Sequence, residues 1–96
     1  MQALYDYQGV IMSIDVIEVE LSQREVQLLL KYAYPFDHEQ AQLESVSAKA
    51  GFHLLEFEVG TTLGLIADLV SSAKKIKSAH LLEELDELCS VLELAG

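Results

Sequence analysis

Two short stretches of this chain alternate apolar and polar residues with a period of two. Val16-Ile17-Glu18-Val19-Glu20-Leu21 sets Ile17, Val19 and Leu21 against Glu18 and Glu20, and Leu54-Leu55-Glu56-Phe57-Glu58-Val59 repeats the arrangement. That period predicts a strand with one buried face, since successive side chains leave a strand on opposite sides. Upstream of each stretch the apolar phase is reversed: Met12, Ile14 and Val16 hold one phase in the first, Phe52 and Leu54 in the second. Such a reversal implies a bulge, a bend, or burial of both faces.

Behind each strand the period changes to that of a helix. Ser22 and Glu25 spell a capping box, in which each side chain satisfies a backbone N–H that the first turn leaves free. Val26, Leu29, Leu30 and Ala33 follow at helical spacing, Leu28 and Tyr32 widen the arc, and Pro35 disfavours helix at Tyr34. So broad an arc predicts contact on two sides. Asp37 with Gln40 signals the next start and Gly51 its stop; Leu43, Val46 and Ala50 give that helix only a thin apolar stripe. After the second strand, Gly60-Thr61-Thr62 leads into a helix with Ile66, Leu69, Val70, Ala73 and Ile76 along one face. A last helix carries Leu81, Leu85, Leu88, Leu92 and Ala95. At about 100° per residue these two stripes are centred roughly 120° apart, so the reading places a break near Lys77-Ser78, with Ser78 as cap.

The order is β-α-α-β-α-α, a weak internal repeat with units of about residues 12–51 and 52–96 in one domain of 96 residues. Residues 1–11 read as an N-terminal extension or an extra edge strand turning at Gln8-Gly9, and Met12 would serve equally well as a natural start. The expected fold class is therefore α+β: a small two-layer domain of few strands packed on helices. Two strands alone make a marginal sheet, so the sheet or the helix bundle is open to completion by dimerisation, and a right-handed two-helix crossover between parallel strands is permitted.

Composition sharpens this picture. Hydrophobic residues make up 51% of the chain, and a body this small has little interior in which to place them. An apolar surplus of that kind predicts a homodimer. The formal net charge of −10 repels phosphate backbones, so no nucleic-acid partner is expected, and the acidic surface suits a basic protein partner. One cysteine, Cys89, allows no internal disulfide, and three scattered histidines lack metal-ligand spacing. No segment is long and apolar enough to span a membrane, so the cytoplasm is the expected location.

Candidate chemistry is sparse. Glu18, Glu20, Glu56 and Glu58 share one sheet face if the two strands are neighbours, which suits the lysines and arginines of a partner better than a metal ion. Leu81, Leu85, Leu88 and Leu92, with Leu28 and Tyr32, form the expected oligomer interface; their spacing of four and three is too short for a sustained coiled coil. Gly60-Thr61-Thr62-Leu63-Gly64 resembles a phosphate cradle in outline but lacks the lysine and glycine spacing of a nucleotide loop, and the two glycines read as a device for a tight turn and close helix packing. Lys74, Lys75 and Lys77 at a helix end, facing Glu83, Glu84, Asp86 and Glu87 at the next start, complement the helix dipoles. His38, His53 and His80 have no neighbouring nucleophile to activate, so no catalytic residue and no cofactor is expected. The leading expectation is a small acidic interaction or regulatory module, not an enzyme, acting as a homo-oligomer. Two alternatives stand beside it: an acidic antagonist or chaperone-like binder of a basic partner, and a small-molecule or enzymatic domain with a pocket between sheet and helices.

Overall fold

The structure is a computed structural model that describes residues 16–95. The expected extension at 1–11 and the upstream phase at Met12–Asp15 lie outside those residues. The described elements run β1 (Val16–Ser22), α1 (Gln23–Tyr32), α2 (Asp37–Val46), β2 (Phe52–Glu58), α3 (Val59–Ala73) and α4 (Ala79–Ala95). The class is α+β, as the periodicity predicts.

β1 and β2 pair antiparallel, with Ile17 opposite Phe57, Glu18 opposite Glu56 and Val19 opposite Leu55. The parallel crossover that the connection length permits is not used. One face of the pair carries Ile17, Val19, Leu21, Leu55 and Phe57 into the core, where Val26, Leu29, Leu43, Leu65, Leu69, Leu85, Leu88 and Leu92 meet them. α1 and α4 lie against β1, while α2 and α3 lie against β2. The described part is thus two layers, a short sheet on helices, with the core between.

Local chemistry explains the element ends. Ser22 closes β1 and caps α1: its Oγ accepts from the Glu25 N–H at 3.2 Å, and its own N–H donates to Glu25 Oε1 at 2.9 Å. The second helix starts at Asp37 itself, with Phe36 in the cap position, because the carbonyl of Phe36 already accepts from the Gln40 N–H at 2.8 Å. Gly51 adopts φ +93°, a left-handed conformation that an L side chain resists, and its carbonyl accepts from the Gln23 N–H at 3.0 Å. The chain passes from β2 into α3 without a loop, Glu58 serving as cap residue. The break before α4 is real: α3 ends at Ala73, and Ser78 Oγ accepts from the Leu81 N–H at 3.2 Å.

Two expectations are corrected by packing. Within α3 the fully buried apolar residues are Leu65 and Leu69; Val70 is exposed, and Ile66 and Ala73 are half-buried. Nor does the phase reversal at Phe52 and Leu54 mark a bulge, since the register with β1 is unbroken from Phe52 to Glu58. These residues lie on the outer face, in solvent, as does Val16.

Phe57 is fully buried at the centre of this core. Phe57→Ala should cost about 3–5 kcal/mol and leave a domain of this size largely unfolded. Ser22→Ala, which removes a cap and no packing, should cost about 1 kcal/mol. Urea titration followed by circular dichroism reads both, and equal effects would contradict the structure.

Candidate interaction surface

Strand parity builds the site. Because Ile17, Val19 and Leu21 turn inward, Val16, Glu18, Glu20 and Ser22 turn outward, and across the ladder Glu58, Glu56, Leu54 and Phe52 stand opposite them in that order. The four glutamates therefore share one face, joined by Val16, Leu54 and Phe52, which are 53%, 64% and 69% exposed. Glu58, Glu18 and Glu56 stand toward one end of the face with Val16, and Leu54 and Phe52 stand toward the other with Glu20. Glu18 and Glu56 stand directly opposite, where like charges destabilise a sheet by a few tenths to about 1 kcal/mol. Among the described residues the ion pairs are Arg24–Glu84 and His80–Glu84, so none of the four glutamates is paired with a described cation. Among the described residues no group of three or more histidine, cysteine, aspartate or glutamate side chains is placed to hold a metal ion.

The two edges of the sheet differ, a contrast that the sequence does not announce. Gln42 of α2 reaches β2: its amide nitrogen donates to the Glu56 carbonyl at 2.8 Å and its oxygen accepts from the Glu56 N–H at 3.2 Å. A side-chain amide thus occupies both backbone groups, as a neighbouring strand would. Further along, the Glu58 carbonyl accepts from Thr62 Oγ1 at 3.1 Å. Since the Glu56 backbone points away from β1, its partner Glu18 must point its own N–H and C=O away from β2. The same parity turns the Glu20 backbone outward. At Ser22 it turns the N–H toward Glu25, as observed.

Elsewhere the candidates separate. Leu28, Leu85, Leu88 and Leu92 lie in the core of the single chain, and Leu81 and Tyr32 are half-buried against it. Their surface is used within the fold, which leaves other faces for a second copy. Thr61 and Thr62 are buried at the start of α3, but an added Cβ at Gly60 or Gly64 would meet nothing within 4 Å, so close packing does not require glycine at either. A cleft of about 250 Å³ opens there beside Tyr34, Pro35 and Phe36. Its charged lining residue is Asp68, whose Oδ2 accepts from the Tyr34 N–H at 2.9 Å; that sign disfavours a phosphate.

Several other titratable groups make contacts within the fold. Arg24 donates two hydrogen bonds to Glu84, each of 2.9 Å, tying α1 to α4 across sixty residues of sequence. The His53 ring lies 2.8 Å from the Lys49 carbonyl through Nε2, His80 Nε2 is 3.8 Å from Glu84, and His38 Nε2 is 3.5 Å from the Gln42 amide. Burial pushes the Cys89 thiol above its ordinary value, and Glu93 and Asp86 push it further, which keeps it protonated and unreactive at neutral pH. Sequence reasoning found the glutamates but not Val16, Phe52, Leu54 or Gln42. The phase reversal was the available signal for the first three, and Gln42 carried none.

The guanidinium of Arg24 holds the Glu84 carboxyl below the usual carboxylate range, chiefly through the hydrogen bonds. A depressed folded pKa contributes stability present above the unfolded value and lost as pH falls through the folded one. Carboxyl-carbon NMR should therefore show Glu84 titrating below ordinary glutamate, and Arg24→Gln should return it upward; an unmoved midpoint would mean that the pair does not form in solution. Compared with known proteins, the chain matches no family model, no curated protein and no solved structure.

Proposed function

We propose that the protein is an interaction module, not an enzyme, which presents the outer face of the β1–β2 sheet to a basic partner protein. One observation carries the reading: four carboxylates, none paired with a described cation, are held on a helix-free face with three exposed apolar side chains. Such a face stores like-charge repulsion that a cationic surface relieves, and its exposed apolar side chains supply area for burial. The net charge of −10 adds long-range attraction for the same class of partner.

The reading separates stability from capture. Glu18→Lys replaces a like-charge pair with an ion pair and should raise folding stability by a few tenths to about 1 kcal/mol. The same substitution should weaken binding of a fluorescent peptide alternating lysine and valine by about tenfold, with a larger loss in Glu18→Lys/Glu58→Lys. Fluorescence anisotropy at two salt concentrations reads the affinity. Binding that survives both substitutions unchanged would remove the reading.

A second reading, self-association, is favoured by α3. Leu63 and Val70 are 63% and 50% exposed, and with the exposed Ala67 between them they form a stripe at spacing four and three. A homodimer closing over this stripe would take up part of the apolar surplus. Light scattering should then give a mass that persists in high salt and falls to the monomer in Val70→Glu; a wild-type monomer at micromolar concentration would remove it.

A further inference from the structure

We infer that the partner binds as an added β-strand on the β1 edge that is open among the described residues, and that it is an extended segment alternating basic with apolar residues. The inference rests on the outer face being the binding surface, and it adds the manner of binding and the pattern of the ligand. Its warrant is the contrast between the two edges. At β2 the Gln42 amide occupies both backbone groups of Glu56, and Thr62 occupies the Glu58 carbonyl. At β1 the register turns the N–H and C=O of Glu18 and Glu20 outward, and among the described residues neither pair of groups has a partner outside the β1–β2 ladder. An unpaired row of this kind is a template for another strand, and proteins ordinarily blunt it. Among the described residues β2 is blunted at Glu56 and at the Glu58 carbonyl, its outward Leu54 groups stay open, and β1 is open at both Glu18 and Glu20.

The side chains beside that edge select the occupant. On an added strand, residues level with Glu18 and Glu20 share the outer face with them, so lysine or arginine fits there. The residues between point to the inner face next to Ile17, which is half-buried and gains cover from a β-branched or aromatic neighbour. A second copy pairing through its own β1 would set glutamate beside glutamate, so charge opposes it. Residues 1–15 of this chain include Asp6 and Asp15 and no lysine or arginine, so they do not supply the complement either. A foreign basic segment does.

Alternate backbone methylation tests the strand without altering charge. Three peptides of about eight residues alternate lysine and valine: one unmodified, one N-methylated at the lysines, one N-methylated at the valines. Only one parity of an added strand turns its N–H groups toward β1, the lysines in antiparallel and the valines in parallel addition. One methylated peptide should therefore lose about tenfold or more in affinity for the full chain while the other binds like the parent. On binding the parent, hydrogen exchange at the Glu18 and Glu20 amides should slow. Equal affinities for all three peptides, or equal loss in both methylated ones, would overturn the strand. So would Glu18 and Glu20 amides already protected in the free chain. If the parent peptide binds and Glu18→Lys weakens it while methylation does nothing, the face reading stands and this inference falls. If Glu18→Lys leaves binding of the parent unchanged, both fall.

Discussion

The antiparallel ladder between β1 and β2 is the constraint on which the rest of the structure depends. With Glu18 set opposite Glu56, every other choice in the sheet follows from the period of two. Ile17, Val19, Leu21, Leu55 and Phe57 are committed to the helices, and the four glutamates are committed together to solvent. A slip of one residue would bury carboxylates and expose Phe57, at a cost that a domain of this size cannot absorb. The hydrophobic pattern therefore enforces the register, and the register enforces the like-charge contact on the outer face. The acidic cluster is a consequence of core packing, and the core outweighs the repulsion because burying side chains such as Phe57 and Leu21 is worth several times more than one exposed Glu–Glu contact costs.

A two-stranded sheet has two edges, and the fold treats them unequally. α2 has the thinner apolar stripe of the first two helices, with Leu43 as its buried apolar anchor, and its other contribution is the Gln42 amide that closes β2 at Glu56. α1 and α4 hold β1 from the inner side and are joined by Arg24 and Glu84. This arrangement packs the helices on the inner face of the sheet as a backing and leaves its outer-face side chains exposed. The helix leucines that look available for a partner in the sequence are part of that backing.

Much of the architecture was legible because it rests on local rules. The capping box at Ser22 and the break at Ser78 each follow from side chains within three residues of the backbone groups they satisfy, whereas α2 ends at Val46, before the Gly51 that the sequence offers as its stop. The fold class followed from two periods. What misled was the face of a helix or strand when more than one assignment was open: Val70 with Ile66 and Leu69 makes as good a stripe as Leu65 with Leu69, and only the position of α4 decides between them. Likewise the reversed phase at Phe52 and Leu54 reads as burial when every apolar residue is assumed to be inside, which surfaces do not obey.

By itself the sequence determined the α+β class, the order of the elements, many of their ends and the alternation that sets Glu18 with Glu20, and Glu56 with Glu58, on one face of each strand, since alternation and capping are properties of neighbours along the chain. Tertiary structure alone decided that the two strands pair and run antiparallel, so that the four glutamates share a face, that Leu28, Leu85, Leu88 and Leu92 are used internally, and that Gln42 occupies the outward backbone groups of Glu56. Each of those depends on residues brought together across tens of positions, as Gln42 is to Glu56 and Arg24 to Glu84. Their side chains carry no mark of the partner until the helices are packed.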